Sequence, residues 1–560
     1  MSSRLRALRR GAQILFLAVF VLLFAFTAYP LKLPVAPDLF LRADPLLALS
    51  TMLSLRQIAL PLLWFALPVV VISVLLGRVF CGWVCPMGTC IDLCERVFRI
   101  RGRRPSLAPA WRRVKFYLLV ALLLTMALPA VYHTDYELGL PRTVGLSAVY
   151  LVDPIALLTR TFALAGLPAA HWLAGVANDS ATAVAYSDFA SRHPTLLRAL
   201  APVQLGFGMV SRPPYLRAQF RFATLSFAIF AGIVALGSLA RRFWCRNLCP
   251  LGALLGFLGK ASPLRLAVSE KCTRCMRCVN ECKVGAISED PHHYSGPECI
   301  GCYSCIAVCP ERAISLTTGR ADSGRADELR LDRRRVLQAA GIGLAAAILP
   351  KLEASAKRSQ ATEGVLKASG AKLIRPPGAL PEDEFVTACV RCGECMKVCP
   401  TNALQPALVE GGLEALGTPI LVPRIGACAQ SCNACGQVCP TDALRPFTVE
   451  EKAHLYLGTA VIHRSLCIAW AADRQCLVCD EGCPFDAISQ RSVDGLGRPV
   501  VNDRVCVGCG FCECICPVEP DAAIRVTSAG DRRHWSRPRQ QVWREQAEQE
   551  DQGGLPYPGL

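Results

Sequence analysis

Cysteine constrains this chain more than any other residue. There are 31 in 560 positions, 24 of them in six quartets and four in two C-x3-C-P pairs, leaving Cys90, Cys94 and Cys514. An odd, tightly clustered set is a poor disulfide scaffold and a good set of metal-cluster ligands. The first two quartets read Cys272-x2-Cys275-x2-Cys278-x3-Cys282 and Cys299-x2-Cys302-x2-Cys305-x3-Cys309-Pro310. Three cysteines at three-residue steps wrap a loop around one cubane, and the fourth, carried into the next helix, points to the partner cluster. The spacing therefore predicts one [4Fe–4S] cluster on Cys272, Cys275, Cys278 and Cys309, and another on Cys299, Cys302, Cys305 and Cys282. Zinc would call instead for two C-x2-C pairs per tetrahedron. Lys283 stands where a proline usually follows the fourth cysteine.

Four more quartets follow: Cys389, Cys392, Cys395 and Cys399; Cys428, Cys432, Cys435 and Cys439; Cys467, Cys476, Cys479 and Cys483; Cys506, Cys509, Cys512 and Cys516. Each ends in Cys-Pro and is followed shortly by a small residue and an aliphatic, as in Asn402-Ala403-Leu404, Asp442-Ala443-Leu444 and Asp486-Ala487-Ile488. The same cadence, Arg312-Ala313-Ile314, closes the first module. A small alanine lets the backbone approach the cluster while the aliphatic starts a short strand, so the chain repeats one unit six times. One cluster per quartet gives about 24 iron atoms. Cys514 is off the spacing and is read as a non-ligand.

The remaining composition is that of a membrane protein. The chain is 52% apolar and 19% charged, with mean hydropathy +0.34. Four apolar runs, roughly Ala12–Tyr29, Gln57–Gly77, Phe116–Tyr132 and Ala223–Ala240, approach the ~20 residues needed to cross a bilayer. The net charge of +17 is explained by its distribution: Arg4, Arg6, Arg9 and Arg10 precede the first run, and eight basic residues lie between Arg96 and Lys115. That is positive-inside topology, and no aromatic-interleaved basic patch points to nucleic acid. Residues 133–221 then face the opposite compartment, with Tyr150–Gly175 expected as an interfacial or re-entrant stretch. His133, His171, Asp153 and Arg160 are candidates to line a quinol site, although each is more ordinarily an interfacial side chain.

The second and fourth runs end in related sequences, Arg78-Val-Phe-Cys81-x3-Cys85-Pro86-Met-Gly88 and Arg242-Phe-Trp-Cys245-x3-Cys249-Pro250-Leu-Gly252. Cysteines at i and i+4 share a helix face, so four thiols are expected to converge at the cytoplasmic boundary. The readings are a seventh iron–sulfur cluster, a redox dithiol pair, a soft-metal Cu(I) site, or structural cysteine. Cys90 and Cys94 repeat the spacing without a following proline.

Between the cluster modules, Arg333-Arg334-Arg335-Val336-Leu337-Gln338 precedes an Ala/Gly-rich apolar run to Pro350 and Ala354-Ser355-Ala356. Fifteen residues of helix reach only ~22 Å, short of a ~30 Å core. The pattern is that of a twin-arginine export signal, which would carry a metallated domain across a membrane already folded. A basic linker before an amphipathic helix is the alternative.

Residues 1–320 resemble the NapH type of membrane ferredoxin, related to NosR and CcoG-like proteins. Residues 330–525 resemble the NapG/MauM type of exported four-cluster ferredoxin, including the Cys467-x2-Trp470 opening of the third quartet. The resemblance implies an α-helical membrane domain of about four spans (1–262), an α+β ferredoxin-like two-cluster domain (263–320), a linker with the internal signal (321–382), a four-cluster polyferredoxin domain (383–526) and a flexible tail (527–560). It implies electron transfer from membrane quinol to a periplasmic reductase or cytochrome, as an inner-membrane multi-pass protein with the two-cluster domain cytoplasmic and the four-cluster domain periplasmic. Resemblance to four-cluster electron-transfer subunits suggests a nested exchange of last cysteines, first quartet with fourth and second with third; adjacent exchange is the alternative. A CcoG-like copper reductase or assembly factor, and a redox-sensing regulator, are the other functional classes. No catalytic residue is identified: the chain has no C-x-x-C-H haem site, no P-loop, and no G-x-G-x-x-G after a clear strand.

Overall fold

The computed structural model describes residues 2–27, 38–98, 109–127, 149–186, 219–287, 291–318, 331–346 and 373–531, except 222 and 409, with the strands 131–134 and 141–144 and single positions 29, 31 and 202. Ala354-Ser355-Ala356, most of the linker and the tail beyond 531 lie outside the described residues. Two compact units result: Met1–Ser355 together with Val386–Lys397, and Ala356–Phe385 together with Val398–Leu560.

In the first unit, the 25-residue helix Ser2–Phe26 is about 37 Å long at 1.5 Å per residue. Its Arg4–Phe26 stretch is, among the described residues, the one helix long and apolar enough to cross a membrane; a second is counted if Leu60–Leu76 and Val79–Val97, bent by 100°, form one span. Pro109–Ala127 and Ala223–Ala235 are also helical. Leu60–Leu76 buries only Leu62, Ala66, Val69 and Ser73 and leaves Trp64, Leu67, Val71 and Leu75 outward. A helix apolar on all sides needs an apolar solvent on its outer face.

Two Asp-Pro steps start equivalent helices. Asp44 caps Pro45–Leu55, its Oδ1 accepting from the Leu46 and Leu47 N–H groups at 2.8 and 3.3 Å. Asp153 caps Pro154–Thr161 in the same way, accepting from Ile155 and Ala156 at 3.0 and 2.8 Å. Proline at the first helical position gives up a donor the helix does not use, and the aspartate satisfies two that it would otherwise leave orphaned. Residues 154–185 run on as one helix through a wide turn at Phe162–Gly166. Every residue of Pro154–Thr161 is buried, so this piece is core and not an interfacial strip. The helix at 333–346 approaches Pro109–Ala127 closely: the Asp332 N–H donates to Tyr117 Oη at 3.1 Å, and a Cβ on Gly343 would meet Ala121 O at 2.5 Å.

The cluster modules share one closing device. Leu264–Val268, ahead of the first quartet, pairs antiparallel with Ile314–Thr318, behind the second. In the second unit, Ala379 bridges Leu444, and Thr459–Ile462 pairs with Ile524–Thr527. Each pairing brackets two consecutive quartets. The hairpins Leu404–Pro406 with Pro419–Leu421 and Ile488–Val493 with Leu496–Val501 are added to this frame.

Candidate metal centres

In the four regular C-x2-C-x2-C runs, the residues on both sides of the middle cysteine have positive φ: Arg274 and Met276, Gly301 and Tyr303, Arg391 and Gly393, Gly508 and Gly510. Two left-handed residues around one αR or extended cysteine coil the loop so that three thiols face one centre. A second left-handed residue recurs three positions after the last cysteine, at Gly285, Arg312, Asn402, Asp442 and Asp486. It turns the chain back so that the next N–H donates to that sulfur: Ala286 to Cys282 Sγ at 3.1 Å, Ala313 to Cys309 at 3.3 Å and Ala487 to Cys483 at 3.3 Å. The aliphatic residue that follows then enters a strand or bridge, as the cadence in the sequence predicts.

Cys282 is grouped with Cys299, Cys302 and Cys305, and Cys278 with Cys272 and Cys275. The nested exchange expected for the other four quartets is overturned. Cys399 lies in the electrostatic neighbourhood of Cys428, Cys432 and Cys435. Cys467, Cys476, Cys479 and Cys516 line one small space, and Cys483 is grouped with Cys506, Cys509 and Cys512. Cys399 thus joins the second quartet, and the third and fourth quartets exchange Cys483 and Cys516 inside the frame closed by Thr459–Ile462 and Ile524–Thr527. Burial pushes the thiols of Cys299, Cys479 and Cys509 up to about 12, so metal binding there releases protons. Lys452 is held above its usual range despite burial, by Cys428 and Cys435; its ammonium donates to Ala429 O and Cys432 O.

No three His, Cys, Asp or Glu side chains among the described residues draw together closely enough to hold one metal ion. A single zinc would need every donor about 2.3 Å away. Grouped cysteine thiols in triplet-plus-one runs are the donor set of a [4Fe–4S] cluster, and such a group bound there would supply one-electron redox chemistry.

Cys81, Cys85, Cys245 and Cys249 converge and are all buried. The two repeats clamp each other crosswise. Arg242, which opens the second, donates to Cys81 O at 3.2 Å and Gly88 O at 3.1 Å of the first; Arg78, which opens the first, donates to Cys245 O at 3.3 Å of the second. Both guanidinium groups are fully buried. The glycines make room for them: a Cβ on Gly252 would meet Arg78 Nη2 at 2.5 Å. Asp92 compensates Arg242 through both oxygens at 2.8 Å, and Glu298 takes Arg78 at 3.2 Å and also pairs with Lys115. Arg78 Nε, Trp244 Nε1 and Asn247 Nδ2 are buried donors without a protein acceptor, as expected around a centre that itself accepts hydrogen bonds. Cys90 and Cys94 lie together on Pro86–Val97, and Cys514 sits half-buried in the helix Phe511–Ile515.

The two-cluster module docks on this centre. Trp83 Nε1 donates to Gly301 O at 2.9 Å, and Gly82 is so close to Ile300 O that a Cβ would lie 2.2 Å from it. Near the other end of Ser2–Phe26, Lys397 donates to Phe24 O, and Gly393 packs on Ala163.

Asp153 is joined by a partner that the sequence reading missed. The carboxyl groups of Asp44 and Asp153, both fully buried, are within hydrogen-bonding reach of each other, and each leaves Oδ2 without another partner. Two facing carboxylates in a dry core cannot both be ionised, so they share a proton. The signal was the repeated Asp-Pro step. Arg160 lies near both Asp153 and Cys392. His171 is buried; the side chain of His133 lies outside the described residues.

A 4Fe-4S binding domain model matches residues 58–105 and 222–268, which hold the two C-x3-C-P pairs. 4Fe-4S dicluster domain models match 264–323 and 388–443. The methylamine utilization ferredoxin-type protein MauM of Methylorubrum extorquens is 39% identical over 165 residues, 28% of this chain and 73% of that protein. The chain belongs to this family of ferredoxin-type proteins. The ferredoxin-type protein NapG of Escherichia coli is 37% identical over 170 residues, 29% of this chain and 72% of its own. The ferredoxin-type protein NapH of Haemophilus influenzae is 27% identical over 331 residues, 56% of this chain and 90% of its own. The chain is thus a NapH-type half fused to a NapG/MauM-type half, carries multiple 4Fe-4S clusters and transfers electrons. No solved structure matches it.

Proposed function

We propose that this ferredoxin is a membrane quinol oxidoreductase wire: quinol gives up two electrons, one at a time, through six [4Fe–4S] clusters on the 24 quartet cysteines to a redox partner in the periplasm, with Cys81, Cys85, Cys245 and Cys249 holding a seventh redox centre. The observation that carries this reading is the placement of cysteine loops near opposite ends of Ser2–Phe26. Arg9, near its start, donates to Gly82 O at 3.2 Å beside the docked module of Cys299, Cys302 and Cys305. Phe24, near its end, holds Lys397 of the segment bearing Cys389, Cys392 and Cys395. Fifteen residues of helix between these points span about 22 Å, much of a hydrocarbon core. The outward apolar face of Leu60–Leu76, the arginine-rich start of Ser2–Phe26 and the twin-arginine sequence support four spans, a cytoplasmic two-cluster module and an exported C-terminal part.

Quinol oxidation also releases two protons. The Asp44–Asp153 pair, holding one proton between two carboxylates, has room to take up one of them. Anaerobic mixing of the reconstituted full chain with a reduced quinol analogue tests the reading. Visible cluster bleaching at a rate lowered by Asp44→Asn, with iron content unchanged, supports it. Reduction by dithionite but not by any quinol would overturn it.

A further inference from the structure

A cavity of about 170 Å³ lies between the start of Ser2–Phe26, the helix Pro86–Val97 and the two-cluster module. Nothing in the electron-transfer reading uses it. Its polar wall carries five basic side chains, Arg6, Arg9, Arg10, Arg96 and Lys283, against two carboxylates, Asp92 and Glu281. Neither carboxylate is available to neutralise the rest. Asp92 is already engaged by Arg9, Arg242 and Lys283, and Glu281 is paired with Arg241 at 4.0 Å. The other wall is apolar, made by Ile14, Leu17 and Leu93, and Ile14 and Leu93 are 67% and 49% exposed. The cavity therefore joins a surplus of positive charge to an apolar face, one turn inside the basic end of a helix built to cross a bilayer.

We propose that this cavity binds the phosphodiester headgroup of an anionic phospholipid, with Arg6, Arg10 and Arg96 on the phosphate and the acyl chains along Ile14, Leu17 and Leu93. A neutral quinol headgroup would not require the excess charge, and a soluble anion would not require the apolar wall. The bound lipid joins the membrane helices to the docked module, because Glu281, Lys283 and Ser304 of that module complete the cavity. The proposal rests on the chain being membrane-embedded, and the experiment separates the two.

The full chain is extracted from membranes in mild detergent, delipidated, and offered phosphatidylglycerol or phosphatidylcholine in nanodiscs, with bound lipid counted by native mass spectrometry. The expected result is preferential retention of phosphatidylglycerol, reduced roughly fivefold for each arginine removed in Arg6→Gln and Arg10→Gln, the weight of one basic side chain at an anionic surface. Melting in phosphatidylcholine should be the same for wild type and variants, which shows that the variants fold. Equal retention of the two lipids by the wild type, or an unchanged preference in the double variant, would overturn the proposal. Loss of the preference in millimolar inorganic phosphate would identify free phosphate as the ligand and overturn the lipid assignment. Recovery of the wild-type chain in the detergent-free soluble fraction would instead refute the membrane reading beneath it.

Discussion

Arg78 and Arg242 show how a pair of short motifs becomes a centre. Each is fully buried, and each reaches across to the carbonyl of the other repeat's first cysteine, so neither half of the site is complete alone. Removing one member of a buried, hydrogen-bonded charge network leaves its partners desolvated and unpaired, at a cost of about 3–5 kcal/mol. Arg242→Gln is accordingly expected to destabilise the first unit by that amount, read as a lowered denaturation midpoint of the purified chain. Arg241→Gln, next to it but half-exposed in its pair with Glu281, should cost under about 1 kcal/mol. Equal effects of the two would mean that the crossed clamp does not carry the fold of the centre. At this scale the sequence was partly legible: the repeated Arg-x2-Cys-x3-Cys-Pro-x-Gly placed the thiols together. It could not reveal that the arginines exchange partners, nor that Asp44 meets Asp153, because contacts over such separations in sequence leave no local periodicity.

Among the elements, the antiparallel strand pairs decide which cysteines act together. Thr459–Ile462 and Ile524–Thr527 enclose the third and fourth quartets, as Leu264–Val268 and Ile314–Thr318 enclose the first module. The loop cadence was readable from Ala313-Ile314 and its repeats, since left-handed turns and strand starts are local. Pairing was not, because identical spacings fit either exchange and the bracketing elements are strands of only four or five residues or, at Ala379 and Leu444, a single bridge. Iron counting distinguishes the two. If Cys399 shares a cluster with Cys428, then Cys399→Ala and the double variant with Cys428→Ala should each lose about four irons. A nested exchange puts those cysteines on different clusters, and the double variant would then lose about eight. Docking of the first module is a second test at this scale. Gly82→Ala places a methyl group against the Ile300 carbonyl, where backbone has no room to yield, so residues 263–320 should become more susceptible to protease while keeping their iron.

For the whole molecule, the question is on which side of a membrane each unit works. On the proposed topology, the four basic residues before the first apolar run and the eight between Arg96 and Lys115 keep those segments inside, which would leave the chain inside at Arg241 and the two-cluster module cytoplasmic. The segment with Cys389, Cys392 and Cys395 is packed near the opposite end of Ser2–Phe26, at Phe24, and the proposed topology therefore has the chain cross again between them. The helix at 333–346, set against Pro109–Ala127 by Asp332 and Gly343, is where it would do so on the proposed topology, and Arg333-Arg334 just before it carries the twin-arginine pattern proposed to export the C-terminal part. Replacing both arginines by lysine keeps the charge and removes the signal, so the C-terminal part should be trapped inside. In spheroplasts, external protease should degrade the C-terminal part of the wild-type chain and spare that of the lysine variant. Protection of the wild type would place all six cluster sites in one compartment. A chain so arranged could still move electrons, but it could not deliver them across the membrane, and the quinol-to-periplasm direction would fall with the topology.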